Sequence, residues 1–247
     1  MGYVHRRIDR GDVYFFLNVG PETVCFSPRF PGRKRRAELW DPLTGGITVS
    51  DSGGPLNLTL PARGSAFVVL GRETEGAQRP MAGEPFKTLT LNPDWRLRFD
   101  GPDAPAPTKL RELSSWTELP GAKYFSGLGV YTATITLEED PPARAVLHFD
   151  DVREAAEVKV NGKSVGVVFS APWDFDVTRA LRKGRNELEV TVANLPVNRF
   201  IGSPDMDLAA LRAKYGARFQ APEEKEIMKG VPAPSGLIGV VRLVLER

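Results

Sequence analysis

Cysteine and histidine are nearly missing from this chain of 247 residues, which has one Cys (Cys25) and two His (His5 and His148). A single thiol excludes an internal disulfide, so the fold must rest on its apolar core. Three such residues also fall short of the four Cys and His ligands of a structural zinc site. The phosphate-cradling patterns GxxxxGK[ST] and GxGxxG are missing as well. So is any excess of charge: 33 Lys and Arg stand against 31 Asp and Glu, a formal +2. That balance gives no strong pull toward nucleic acid or a membrane surface. The basic run Arg33 to Arg36 has no interleaved aromatics and reads as a solvated loop before a strand. Long apolar runs are absent too, and those present, such as Ala66 to Leu70, are strand-sized, so no transmembrane segment is expected. The N-terminal MGYVHRRIDRGDVYFF carries charge where a signal peptide needs an apolar core. No compartment follows from this, since a longer parent chain would carry its signal upstream.

What the chain does have is turns. Gly 24 and Pro 21, beside ordinary hydrophobic (41%) and charged (26%) fractions, suit many short strands in a globular protein. Over residues 1–72, the β-rich runs Val13–Leu17, Thr23–Phe26, Ala37–Trp40, Leu56–Leu60 and Ser65–Leu70 are cut by Gly, Pro, Asn and Asp. They predict a small antiparallel β-sandwich, with Cys25 buried in the run Val24–Phe26. Residues 73–87 lose the pattern and read as a linker. Over residues 88–247 the period-2 signal is stronger. Trp95, Leu97 and Phe99 alternate with Arg96 and Arg98, and Tyr131, Ala133, Ile135 and Leu137 alternate with threonines. Val158 and Val160 face Val165 and Val167 across Asn161-Gly162, a strong hairpin signal because both residues tolerate positive φ. Stacked sheets of this kind predict a jelly-roll β-sandwich. The fold class is therefore all-β, with one or two short helices. One would be capped by Asp176 or Thr178 and ended by Gly184. A longer one would open at Ser203-Pro204, with Leu208, Leu211, Tyr215 and Phe219 on one stripe.

Catalytic chemistry is hard to find. Glycoside hydrolysis needs two opposed carboxyl groups, and the acidic candidates are Glu138-Glu139-Asp140, Asp150-Asp151 and Glu223-Glu224. Neighbours on a strand point to opposite faces, so none is a preformed pair, and all three read as turns or solvated ends. His5 and His148 read as surface residues. Calcium is the one cofactor to weigh, through loop oxygens of Asp150, Asp151, Asp174 or Asp205. Ordinary turn aspartates account for these better, so neither a metal nor another cofactor is expected. Sugar recognition would need aromatic faces for C–H surfaces, with amides and charges for hydroxyls. Trp116, Tyr124, Trp173, Asn198 and Arg199 are the candidates in loops or at strand ends, and one or two of them are expected to face solvent. Trp40 and Trp95 read as core.

Short motifs recur in a consistent order along the chain. They are Val4-His5-Arg6, Asp12-Val13-Tyr14-Phe15 and Asn18; Leu39-Trp40-Asp41-Pro42 with Thr44-Gly45; and Ser65 with Phe67-Val68-Val69. Then follow Ser115-Trp116, Tyr124-Phe125-Ser126-Gly127 with Tyr131, the Asn161-Gly162 hairpin, Asn194-Leu195, Asn198-Arg199 with Ile201-Gly202, and Ser235-Gly236-Leu237 with Gly239. The series resembles the C-terminal region of α-L-rhamnosidases of glycoside hydrolase family 106. Its jelly-roll half is similar to the galactose-binding-like domain of family 2 glycoside hydrolases. The resemblance implies a non-catalytic accessory, sugar-binding region that buttresses a catalytic domain. In that family the catalytic barrel precedes the matched region, and its carboxylates have no counterpart here. The implied partners are carbohydrate, including rhamnose-containing glycans, and a catalytic glycoside hydrolase domain. Two other readings are an autonomous carbohydrate-binding protein and a protein-interaction or assembly module. In the return NLPVNRFIG, Pro196 cannot donate to a ladder, so the chain must leave the sheet there. This places Asn198 and Arg199 at one end of the sandwich, with both side chains expected to bond at the junction with the Ser203–Phe219 helix.

Overall fold

The computed structural model describes residues 1–8, 11–30, 36–43, 45–50, 55–71, 85–203, 207–216 and 229–246. The chain divides into two compact units, Met1–Glu84 with Ser170–Pro172, and Pro85–Phe169 with Trp173–Arg247. Of the stretch read as a linker, residues 73–84 lie outside the described residues, and residues 85–87 open a strand instead.

The first unit holds β1 (Gly2–Ile8), β2 (Gly11–Leu17), β3 (Val24–Phe26), β4 (Ala37–Trp40), β5 (Ile47–Ser50), β6 (Leu58–Leu60) and β7 (Ser65–Leu70). An antiparallel five-stranded sheet runs β1-β2-β7-β4-β5, and β3 pairs with β6. Phe16, Ala37, Ala66 and Val68 from the larger sheet meet Leu58 and Leu60 from the smaller one, which is the expected small sandwich. Periodicity missed β1 because every one of its residues is exposed, so it shows no alternation. Cys25 corrects a second expectation, because the thiol is exposed. Val24 and Phe26 turn inward, and the pleat sends the residue between them outward, 3.4 Å from the Thr59 hydroxyl. The β4–β5 connection turns at Asp41, where Gly45 at φ +68° donates its N–H to the Asp41 carbonyl.

The second unit holds β8 (Pro85–Leu91), β9 (Trp95–Asp100), β10 (Thr108–Leu110), β11 (Leu128–Leu137), β12 (Arg144–Arg153), β13 (Ala155–Val160), β14 (Lys163–Val168), β15 (Asp174–Asp176), β16 (Gly184–Ala193) and β17 (Gly236–Glu246). They form a six-stranded sheet, β10-β9-β11-β16-β13-β14, and a four-stranded sheet, β15-β12-β17-β8. On β11, Tyr131, Ala133, Ile135 and Leu137 are buried while Thr132, Thr134 and Thr136 are exposed, as their alternation requires. They pack with Leu188 and Val190 of β16 against Leu147, Phe149 and Leu243 of the second sheet. The β13–β14 hairpin turns at Asn161 (φ +51°) and Gly162 (φ +79°). The Asn161 amide also donates to the Ala180 carbonyl and to Asn186 Oδ1, which ties this turn to the β15–β16 connection.

The helices differ from expectation. Asp174–Asp176 is a strand, and Asp176 Oδ1 accepts the Thr178 N–H in a tight turn rather than capping a helix. Thr178 Oγ1 accepts the Ala145 N–H, so the local cap signal serves strand β12 instead. Beyond Pro196 come α1 (Val197–Gly202) and α2 (Leu208–Tyr215). Ser203 ends α1 in extended backbone rather than opening a helix, and Pro204 and Phe219 lie outside the described residues. No helix among the described residues is long and apolar enough to cross a membrane.

Register fixes where the connections gather. Leu128 stands opposite both Asp100 and Ala193, and Arg153 stands opposite Gly236. The ends of β9, β12 and β16 and the starts of β11 and β17 therefore share one end of the sandwich. The connections 101–107, 111–127 and 194–235 start or finish there.

Candidate functional site

This end of the second unit is built on one tryptophan. Trp116 lies in a short 3-10 turn whose N-cap, Ser115, accepts the Thr117 N–H. Its side chain is fully buried, edge-on to Phe99 and tilted against Phe125. The indole N–H donates to the Tyr131 hydroxyl at 2.5 Å, and that oxygen also accepts the Leu237 N–H. Burial pushes the Tyr131 phenol up to about 12, partly offset by these two donors. A Cβ at Gly129 or at Gly236 would collide with the Trp116 ring, so both positions supply its socket. Trp116 is thus a core residue and offers no face to a sugar, contrary to its reading as a contact.

A polar network closes the end over this socket. The Asn194 amide donates to the Phe125 carbonyl and to Ser235 Oγ, while its oxygen accepts the Gly127 N–H. Asn198, 1% exposed, donates to the Ala233 carbonyl and to the same Ser235 Oγ, and accepts the Ala233 N–H at 2.7 Å. The Ser235 N–H donates to Ser115 Oγ. Motif residues far apart in sequence therefore meet around one serine hydroxyl. Asn198 bonds as expected, but to the strand leading into β17 rather than to a helix after Ser203.

Outside the network is a depression of about 430 Å³, lined by Pro102, Asp103, Gly121, Lys123, Tyr124, Phe125, Ser126, Arg199, Gly202 and Ser203. It brings together two of the five sugar-contact candidates, Tyr124 and Arg199. Tyr124 is 41% exposed, and the Lys123 ammonium stands 5.2 Å from its ring centroid. Gly202, the last residue of α1, allows close approach, since a Cβ there would lie 2.5 Å from Tyr124 Cβ and Cγ. Arg199 is placed by its backbone N–H on Ser126 Oγ, which itself donates to the Leu195 carbonyl. Its guanidinium donates to Asp103 Oδ2 at 2.9 Å, not to the expected helix junction. Trp173 lies elsewhere, half-buried against the core. Among the described residues the depression thus offers an exposed tyrosine ring, two cations, two serine hydroxyls and one carboxylate. That set can bind a polyhydroxylated ligand, and among the described residues it holds no second carboxyl group for glycoside hydrolysis.

The other candidates have structural partners. Glu138, Glu139 and Asp140 are exposed in the β11–β12 connection, and Glu223 and Glu224 lie outside the described residues. Asp151 accepts from Arg153. On the outer face of the four-stranded sheet, the His148 ring donates to Asp174 at 2.6 Å, and Asp150 accepts from Arg242 and from the Val240 N–H. The bond to Asp174 raises the His148 pKa against its partial burial. Burial also acts to raise the Asp150 carboxyl, but the Val240 N–H, Arg242 and His148 outweigh it and hold that carboxyl below its usual range. These donors engage both Asp150 oxygens and Asp174 Oδ1, and Asp205 lies outside the described residues. Among the described residues, no group of three or more His, Cys, Asp or Glu is placed to hold a metal ion. His5 stays on the surface, bonded to Asp12 and stacked on Tyr14.

Asp103, Lys123, Ser126 and Gly202 line the depression but were not among the sugar-contact candidates. Ser126 and Gly202 belong to the ordered motifs, which was their available signal. Asp103 and Lys123 sit in connections with no pattern to mark them.

Comparison with known proteins fits this geometry. Residues 129–200 match the family model described as glycosyl hydrolase 2 galactose-binding domain-like. A putative beta-glucuronidase of Formosa agariphila is 36% identical over 129 residues, covering 50% of this chain and 10% of that protein. The structure of a rhamnosidase from Novosphingobium sp. PP1Y superposes with a TM-score of 0.74 at 30% identity, over 99% of this chain and 24% of that one. The chain therefore spans about a quarter or less of each of these two proteins. Residues 129–200 of its second unit are thus similar to the galactose-binding-like domain of glycosyl hydrolases, in a chain structurally similar over nearly its whole length to part of a rhamnosidase.

Proposed function

We propose that this chain is the non-catalytic accessory region of an α-L-rhamnosidase-type glycoside hydrolase of family 106. It buttresses a catalytic domain and binds carbohydrate in the Tyr124–Arg199 depression. The observation that carries this reading is the likeness to the Novosphingobium rhamnosidase, which takes in 99% of this chain but only 24% of the longer one. The galactose-binding-like match supports it, as does the single carboxylate that the depression has among the described residues. Incubating the chain with an aryl α-L-rhamnoside is expected to release no phenol. Turnover abolished by replacing one carboxylate would overturn the non-catalytic role.

A second reading, an autonomous carbohydrate-binding protein, is favoured by the fact that every lining residue of the depression belongs to the second unit. Calorimetric titration of the 247-residue chain with rhamnose-containing oligosaccharides checks it. Binding lost in Tyr124→Ala without loss of folding supports it, and a flat titration across a broad glycan panel opposes it.

A further inference from the structure

We infer that the Tyr124–Arg199 depression selects an acidic sugar, one whose oxyanion displaces Asp103 from Arg199. The inference rests on the carbohydrate-binding reading above and adds the substrate class. Among the described residues the lining carries two cations, Lys123 and Arg199, against one carboxylate, Asp103, an excess of one positive charge. A neutral sugar offers these cations hydroxyl acceptors but no compensating charge. A carboxylate or sulfate ester brings the missing charge with it.

The Asp103–Arg199 contact is suited to displacement. Its side chains are 87% and 48% exposed, and ion pairs that exposed contribute little. Asp103 engages one donor, Nη2, of a planar fork that suits two-oxygen ligands. The fork rises from a firm base. The Arg199 N–H is held by Ser126, and the preceding residue, Asn198, is buried and bonded to Ala233 and Ser235. Lys123 lies at the Tyr124 ring and lines the same depression as Arg199, so an acidic sugar seated there has both cations around it. Asp103 thus stands in for the ligand's oxyanion in the unliganded chain.

The test titrates the 247-residue chain with a galacturonic acid oligosaccharide, its methyl ester, a sulfated galactose oligosaccharide and a neutral rhamnose-containing oligosaccharide. The acid or the sulfated ligand is expected to bind about tenfold tighter than the ester, with a gap that narrows as salt is added. Whichever of the two is preferred identifies the oxyanion. Arg199→Ala should erase the preference, Asp103→Asn should tighten acid binding several-fold, and Tyr124→Ala should abolish binding of all four. Equal affinity for acid and ester, or tighter binding of the neutral rhamnoside, overturns the inference while sparing carbohydrate binding. No binding of any of the four overturns both.

Discussion

At the scale of single residues, the Tyr131 hydroxyl holds together the end of the second unit. Replacing Tyr131 by Phe keeps the ring but orphans the Trp116 and Leu237 N–H groups in the core. Each buried, unpaired donor costs about 1–3 kcal/mol, so the Tyr131→Phe chain should unfold at clearly lower urea than its parent. A shift within error would refute this role. Asn198 and Arg199 are neighbours in sequence with opposite expectations. Asn198→Ala breaks three buried bonds and should lower Tm, whereas Arg199→Ala removes one exposed ion pair and should leave Tm nearly unchanged. The sequence placed both at the sandwich end because Pro196 must leave the ladder. It could not separate them, because which one turns inward depends on Ala233 and Ser235, brought in by β17. Trp116 was misread for a similar reason: its burial depends on room left by two distant glycines, and nothing beside it in the chain reports that.

At the scale of elements, strands with one dry and one wet face were legible, and others were not. β9, β11, β13 and β16 announce themselves by alternation, while β1, exposed throughout, has none to show. The Asp176–Thr178 step shows how one local bond serves two structures. A carboxylate accepting an N–H two residues on is compatible with a helix cap or a turn, and pairing of β15 with β12 decides for the turn. The outer face of the four-stranded sheet carries a pH dependence of its own. Because Asp174 raises the His148 pKa, the stability this pair supplies is complete below about 6.5, the ordinary histidine value. It is lost as pH rises through the raised value in the folded chain. Between about pH 6 and pH 8 the parent should lose a small increment of stability, on the order of an exposed pair's 0.2–1 kcal/mol. Asp174→Asn should not show that loss. Identical pH profiles for the two chains would rule out the linkage.

At the scale of the whole molecule, two all-β units were readable from turn chemistry and period-2 runs, while the depression was readable only in part. Its aromatic and arginine stand out as residue types, but Asp103 and Lys123 enter through connections whose path is set by the sheets. Each unit has a hydrophobic cluster of its own, so a fragment covering residues 85–247 should fold alone. A cooperative melt and an intact near-UV signal from its buried tryptophans would show this. A fragment without a melting transition would show that the second unit depends on the first.

The socket around Trp116 also governs how far this sequence can drift. At Gly2 an added Cβ meets nothing within 4 Å, so that position should accept many residues. At Gly129 and Gly236 the smallest side chain would already overlap the indole, and φ +92° at Gly236 adds backbone strain. A saturation library selected for folded protein should therefore be nearly silent at these two positions and permissive at the first. Compensation, where it arises, should come from variants that shrink Trp116 itself.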